Sequence, residues 1–591
     1  MARLLEINGP IVRARLPGVA NGEQIRVGEL GLVGEVIARE GDDAIVQVYE
    51  STEGLRPGER AEALGHPLSA ELGPGLLGKI FDGVQRPLRE MLAVTGERVA
   101  RGAALAALDR EHEWRFEPAE IRTGQRVEGG AILGTVQETQ AIAHRILVPP
   151  DVAGELVDLA PRGDYTIEQV IARVRAGSEI RRVRLHHRWP VRKPRPYRRR
   201  EAAALPLITG QRVLDTFFPL LKGGKAAIPG PFGAGKTVLQ QQIARWSNAE
   251  IVVYVGCGER GNELVEVLDT FPRLTDPYSG RLLMERTLLV ANTSNMPVVA
   301  REASIYVGVT LAEYFRDQGY DVVVVADSTS RWAEALREVS GRLGQLPVEE
   351  GYPAYLASRI AALYERAGRV DTASGRAGSV SIIGAVSPPG GDFSEPVTTH
   401  TKEIVQTFWA LSKELADARH YPAIDWRESY SQYLETASRW WSEHVDPRWA
   451  HMREEALVML GRADELQRVV NLVGQEALSP AQRWTLEAAS LTKDAVLQQS
   501  ALDPNDAFCS PEKQFVLLEL VLTVFHEGQT ALESGVPLRK LLSLPVLAEA
   551  RRYKSTYPND RVRELQGCKG DIEKTFAHVR STYASQPEAA E

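Results

Sequence analysis

The spacing of apolar residues changes four times along this chain. From residue 1 to about 74, the runs Leu4 to Ile7, Ile11 to Ala14, Gly34 to Ile37 and Ala44 to Val48 alternate or stay apolar between turns such as EGDD. That pattern predicts short strands. A small closed β-barrel buries such strands without leaving an edge, and nothing in the stretch carries chemistry. Residues 75–113 turn to mixed helix and strand, a pattern that resumes over 188–440 as an α/β domain. Residues 114–187 interrupt it with a β-rich insertion containing GQRVEGGAILGTV and HRILVPPDVAGELVDL. Over 441–591 the apolar residues recur every three or four positions. Helices are predicted at Met452 to Val469, Gln482 to Gln498, Gln514 to His526 and Arg539 to Tyr553, with their stripes forming the core of a bundle. The last seven residues, SQPEAAE, are expected to be unstructured.

A length of 591 residues suits three to four domains. The net charge of −8 argues against a surface that coats nucleic acid. The three cysteines, Cys257, Cys509 and Cys568, are too scattered for a disulfide framework or a zinc site and suit a reducing compartment. No signal-peptide core is visible at the N-terminus, and no run reaches the roughly 18 apolar residues of a membrane span. A role at a membrane is therefore expected to fall to partners. The paired turns of the insertion resemble the flattened sandwich of lipoyl and biotinyl carrier domains. A carrier needs a modifiable lysine, and Trp114 to Ile180 contains none. A docking role is the expectation that survives.

The strongest chemical signal lies between Gly224 and Val238, GKAAIPGPFGAGKTV, which contains G-x-x-x-x-G-K-[ST] from Gly230 to Thr237. An apolar lead-in and the helix-favouring VLQQQIARW flank it. Gly230, Gly233 and Gly235, with Pro231, Phe232 and Ala234 between them, let backbone N–H groups face phosphate oxygens, and the N-terminus of the following helix adds positive charge. Lys236 is expected at the β/γ-phosphates, the Thr237 hydroxyl on Mg²⁺, and Val238 at the start of the helix. Glycine-rich turns elsewhere are often just tight loops, but here all four fixed positions and both flanks agree. The chain is expected to bind ATP or ADP with Mg²⁺.

Two further strands complete an α/β ATPase order. IVVYV (Ile251 to Val255) reads as a buried strand and ends in GCGERGNE. A carboxylate at the C-terminal end of a core strand faces the ligand crevice, so Glu259 is a candidate to align an attacking water. The plainer alternative is an acid at a helix N-terminus. Arg260 beside it is a candidate for phosphate or for a neighbouring subunit. A strand at Thr287 to Ala291 and a helix at about Pro297 to Gln318 come next. DVVVVAD then delivers Asp327 to the Mg²⁺ sphere, and SIIGAV (Ser381 to Val386) runs into the hinge SPPGGDFSEP.

The segment Arg181 to Arg200 holds ten Lys and Arg residues with interleaved His, Trp and Tyr. By itself it looks like a nucleic-acid patch. Pro190, Pro194 and Pro196 rule out a recognition helix and favour an extended strap lying along acidic neighbours.

Together GPFGAGKT, VGCGERGNE, ANTSNMPVVAREASIYVG, ADSTSRWAEALRE and AVSPPGGD resemble the catalytic A subunit of V-type (archaeal and bacterial V/A-type) rotary ATPases, over nearly the whole chain. F-type β subunits, flagellar and export ATPases and the Rho helicase share the core but lack an insertion like this one. The resemblance implies a RecA-like P-loop core of mainly parallel sheet, with an N-terminal β-barrel, a β-rich insertion and a C-terminal helical bundle. It implies ATP hydrolysis or synthesis in a ring of three A and three B subunits, coupled through a central stalk to H⁺ or Na⁺ movement. The insertion would meet a peripheral stator, the barrel would help hold the ring, and the complex would sit on the cytoplasmic face of the cell membrane. No nucleic acid is expected; a Rho-like hexameric motor is the alternative. The family roles fall on Lys236, Glu259, Arg260 and Asp327 for catalysis and on Gly230 to Val238 for phosphate. Gln499 and Phe508, with Phe232 near them, would form the adenine pocket. An arginine finger is expected from the adjoining B subunit. Many eukaryotic members carry Cys where this chain has Ala234, so a thiol pairing with Cys509 is not expected.

Overall fold

A computed structural model describes residues 2–96, 101–103 and 105–584; the tail expected to be unstructured lies outside them. The chain forms two compact units, described in turn. The first comprises Met1–Ala203, Lys222–Pro229 and Ala249–Val405, the second Ala204–Leu221, Gly230–Asn248 and Gln406–Glu591.

The first unit begins with a six-stranded antiparallel sheet in the order Arg3–Asn8, Ile11–Arg15, Asp43–Val48, Leu32–Glu40, Glu23–Val27, Ala61–Pro67. Leu4 donates to Glu59 and Ala61 to Ala2, and Arg3 bridges Arg60, so the sheet closes on itself. Val12, Ala14, Ile25, Val27, Val36 and Val46 fill its interior. Strand Glu23–Val27 escapes a hydrophobic reading because polar residues occupy most of its positions, and Ala61–Pro67 because its small residues, Gly65 and Pro67 leave Leu64 as its one large apolar side chain.

The insertion is a pair of four-stranded sheets. One runs Arg126–Val127, Gly154–Leu159, Val170–Ala176, Glu179–Arg184; the other runs Ala143–Leu147, Ile132–Gln137, Glu113–Pro118, Gly163–Thr166. It is moored to the long, almost wholly buried helix Val298–Asp317. His144 lies 2.6 Å from Glu138 through Nδ1 and 2.8 Å from the Tyr314 hydroxyl through Nε2. The arginine-rich exit is a strap, not an open cationic surface. Strand His187–Pro190 pairs with Ser69–Leu72. Arg192 then bridges Glu35 of the barrel and Glu302 of the helix. Arg195 meets Asp317 at 2.6 Å, and Arg200 meets Glu365 at 3.1 Å.

The core of this unit is a parallel sheet ordered Lys225–Pro229, Ala377–Val386, Asp321–Asp327, Ile251–Glu259, Thr287–Thr293, Ile80–Phe81. Its central strands are buried on both faces, which is why they read as continuous valine and isoleucine rather than alternating.

The second unit holds the phosphate-loop helix Lys236–Trp246 and the C-terminal bundle. The bundle contains Leu434–His444, Trp449–Val473, Pro480–Thr492 leading into Lys493–Leu497, Pro511–Glu533, Leu538–Leu542, Pro545–Thr556 and Val562–Ala584. The helix expected from Arg539 to Tyr553 is two helices. Pro545 lacks an N–H and restricts Leu544 before it, so the first helix stops at Leu542 and Pro545 opens the second. Pro511–Glu533 is long and apolar enough to cross a membrane by length and composition, yet it packs between Pro480–Thr492 and Val562–Ala584 as core.

Candidate functional site

In the first unit, strand register sets the chemistry. Gly256 pairs with Asp327, Ala326 with Gly384, and Pro229 with Val386. The parallel strands bearing Glu259 and Asp327 therefore finish at the same sheet edge as the strand that runs out through Pro229 into the phosphate loop. That edge is where open α/β sheets bind ligands. The backbone turns at Gly258, with φ +72; a Cβ there would lie 2.8 Å from the Arg301 side chain and 2.9 Å from that of Arg331. Glycine is thus required twice, for the left-handed conformation and for the close approach.

Glu259 is half-buried, and Asp327 is 2 % exposed with the Tyr254 hydroxyl donating to its Oδ2 at 3.3 Å. Burial pushes the Glu259 carboxyl far up, to about 9; the negative charges of Asp327 and Glu263 raise it further and Arg331 opposes them. Neighbouring carboxylates that raise one another's affinity for a proton form a site suited to a cation. Among the described residues no cluster of three or more His, Cys, Asp and Glu is placed to hold a metal. Mg²⁺ does not need one, because it takes most of its ligands from water and phosphate and only one or two from carboxylates. The Asp327 carboxylate is an oxygen donor of the kind that ion takes. Arg260 is exposed and heads the helix Gly261–Thr270. Arg301 and Arg331 flank the turn before Glu259; both lie inside recognised motifs, but their sequence positions give no sign of this meeting.

In the second unit, the loop expected to cradle phosphate has left-handed backbone at Gly233 and Gly235, with φ +81 and +87. Gly230 has no room for a side chain, since its Cβ would stand 2.6 Å from Leu411. The Lys236 amine curls across the loop and donates to the carbonyls of Gly230 at 2.6 Å and Pro231 at 2.9 Å. Thr237 is half-buried in the first turn of the helix and Ala234 is buried.

A cavity of about 730 Å³ opens beside this loop, lined in part by Gly233, Gly235 and Val238. Gln499 lines it too, but its amide group is fully engaged: it donates to the carbonyls of Gly210 and Asp506 and accepts from the Arg212 N–H. It shapes the wall, and both polar atoms of its amide are already bonded within the chain. Phe508 is not among the lining residues; it stacks on Trp246 with centroids 5.4 Å apart and fills the space over Gly210. Phe232 points outward, 75 % exposed, and is likewise absent from the lining. The aromatic ring in the cavity is Tyr421, 42 % exposed and packed 3.5 Å from the Cβ position of Gly235. Nothing in the sequence signals it, because HYPAIDW lies well downstream of the loop and carries no motif.

Four family models match the chain in succession. They are the ATP synthase alpha/beta β-barrel domain over residues 4–65, the barrel-sandwich domain over 105–192, the nucleotide-binding domain over 210–431, and the C-terminal domain of V and A type ATP synthase over 438–542. The V-type ATP synthase alpha chain of Nitrosococcus oceani is 67 % identical over 586 residues, covering 99 % of each chain. The corresponding A chain of the A-type ATP synthase of Desulfurococcus sp. is 53 % identical over 569 residues, 96 % of this chain and 97 % of that one. Among solved structures, the assembled ATPase EscN of the enteropathogenic E. coli type III secretion system superposes with a TM-score of 0.62 at 22 % identity, covering 88 % of this chain and all of that one, which shows a shared fold. Full-length identity and a V/A-specific C-terminal domain make the chain a member of the A (alpha) subunit family of V- and A-type ATP synthases.

Proposed function

We propose that the chain is the catalytic subunit of a V/A-type rotary ATPase, hydrolysing or making ATP at interfaces with B subunits. The observation that carries this reading is the shared sheet edge: Glu259, Asp327 and the strand leading into Gly230–Thr237 all finish there. Loop N–H groups and Lys236 hold the β- and γ-phosphates. Once its carboxyl is ionised, Glu259 accepts a hydrogen bond from the attacking water and aligns it with the γ-phosphorus. Thr237 and Asp327 would hold Mg²⁺, Asp327 through water, and the ion supplies charge neutralisation of the phosphates. Arg260 lies on the exposed rim, suited to phosphate or to a neighbouring subunit.

No arginine finger is assigned within the chain, so the last positive charge is expected from a B subunit. Delivery across an interface ties hydrolysis to interface geometry, and that link is what rotation requires. The insertion serves a stator, the helical end meets a central stalk, and H⁺ or Na⁺ crosses the membrane through other subunits, with this chain on the cytoplasmic face. A Rho-like motor is disfavoured because Arg192, Arg195 and Arg200 already face carboxylates within the chain.

The test compares the purified chain with the chain reconstituted with its B subunit. The isolated chain should bind Mg·ATP and turn it over slowly; reconstitution should raise the rate by about 10³-fold or more, the scale of an arginine finger. Equal rates with and without the partner would reject the proposal.

A further inference from the structure

One wall of the cavity beside the phosphate loop is built by residues 498–506; two buried cations stand behind it and a third, half-buried, stands at its edge. Arg212, fully buried, donates through Nε to the Val496 carbonyl at 2.9 Å, through Nη1 to Asp506 at 2.5 Å and through Nη2 to the Gln498 carbonyl at 2.6 Å. Lys513, also fully buried, donates to the carbonyls of Asn505 at 2.6 Å and Lys554 at 2.8 Å. Lys554, on the helix Pro545–Thr556, lines the cavity itself. Its amine donates to the carbonyl of Asp494 at 2.5 Å, to the carbonyl of Gln498 at 3.0 Å and to Oε1 of Gln498 at 3.4 Å.

This arrangement uses all three protons of an ammonium group. A neutral amine has two N–H donors and a lone pair, so one of the three acceptors would lose its partner and meet the lone pair instead. Two of those acceptors belong to Gln498, which also lines the cavity. The charge state of Lys554 therefore contributes to how firmly this part of the wall is held: Arg212 shares the Gln498 carbonyl, but the Gln498 side-chain oxygen is held from Lys554.

We propose that Lys554 is a positioning residue for nucleotide binding, its ammonium fixing Gln498 and hence the wall against which the base rests, so that affinity falls when the charge is lost. This rests on the reading of the cavity as the base site of the nucleotide. Burial pulls the amine down, to about 8; Arg212 adds to the fall and Asp506, Asp494 and Asp503 oppose it. Around it stand Arg551 of the same helix, which is paired with Asp494, and Lys513 behind the wall. His420 also faces it and is held down to about 4 by burial, so it stays neutral across the relevant range.

The experiment is calorimetric titration of the full-length chain with Mg·ADP between about pH 7 and pH 9. Wild type should bind about tenfold more weakly at the alkaline end, the scale of one lost charge-assisted hydrogen bond. The variant Lys554→Arg, charged throughout this range, should keep most of the neutral-pH affinity and lose the pH dependence. Lys554→Met should bind about tenfold more weakly at every pH, with a flat profile. A flat wild-type profile, a Lys554→Arg profile that falls like wild type, or wild-type affinity in Lys554→Met would each overturn the assignment.

Thermal melts without nucleotide separate this from a loss of fold. A lysine depressed in the folded chain binds fewer protons there than in the unfolded chain between about pH 8 and 10.5, so this group makes the fold more stable as pH rises. Weaker binding with an undiminished melting temperature is the signature of positioning. If Lys554→Met does not fold, the Lys554→Arg profile decides alone. A wild-type chain that fails to bind nucleotide at neutral pH would reject the cavity as the base site; binding without pH dependence would reject only the role of Lys554.

Discussion

The strand-end carboxylates and the cavity wall are opposite kinds of polar construction. Glu259 is pressed against Asp327 and Glu263, and burial holds its proton on. Around Gln499 the reverse holds: each donor and acceptor of that amide has a partner within the chain, and Arg212 answers Asp506 directly. The first region sets like charges against one another and gains when a cation or a water dipole arrives. The second is complete without a ligand, and offers shape and one exposed ring. Phosphate chemistry needs charge that responds, whereas seating a base needs a surface that does not move.

The difference can be broken first at Glu259. In the complex with B subunits, Glu259→Gln should lower turnover by about 10²- to 10⁴-fold, the range for a positioned base, while Mg·ATP binding stays within a few-fold of wild type. Steady-state kinetics beside a binding titration would show it; full turnover would mean that this carboxylate is not the one aligning water. Removing the ring from the wall, by Tyr421→Ala, should cost about 1–3 kcal/mol of nucleotide affinity, the scale of stacking on a base, and leave turnover at saturation nearly unchanged. Unaltered affinity would place the base elsewhere.

The smallest effect sharpens the contrast through stability. The folded chain keeps a proton on Glu259 up to about pH 9, while the unfolded chain releases it near the ordinary glutamate value. The unfolded state thus binds fewer protons through this window, and the contribution of Glu259 to stability is lost as pH rises. Glu259→Gln should therefore melt higher than wild type without nucleotide, by on the order of 1–2 kcal/mol at alkaline pH and by almost nothing near pH 4. A gap that stayed constant with pH would show that the carboxyl is not strained by its neighbours. Replacing Gln499 by Glu should instead lower the melting temperature at neutral pH, because a charge there would displace a satisfied amide.

The same contrast explains what could be read from the chain beforehand. Glu259, Asp327 and the phosphate loop each sit within a few residues of a strand end, and a buried parallel strand announces itself as a short apolar run with a polar stop. The residues that matter are local to the signal. The cavity is assembled from positions 211, 233–242, 419–422, 498–506 and 554–555, and no periodicity links them. Gln499, which only resemblance singles out, stands in the cavity wall with its amide bonded within the chain. The ring of Phe508 packs on Trp246 and over the bare backbone of Gly210, contacts that its position in the sequence does not reveal. In the bundle, four apolar stripes are legible, but they run through the stop at Pro545 and leave the helices Leu434–His444 and Val562–Ala584 without a stripe of their own.

The strap between insertion and core has a practical consequence. Arg192 and Arg195 are internal ties, and Arg181, Arg184 and Arg200 also have carboxylates within reach. A stretch that reads as strongly cationic is therefore less cationic toward anything outside it than its sequence suggests. The chain should pass through a heparin column at moderate salt and be retained on an anion exchanger, in keeping with its overall charge of −8.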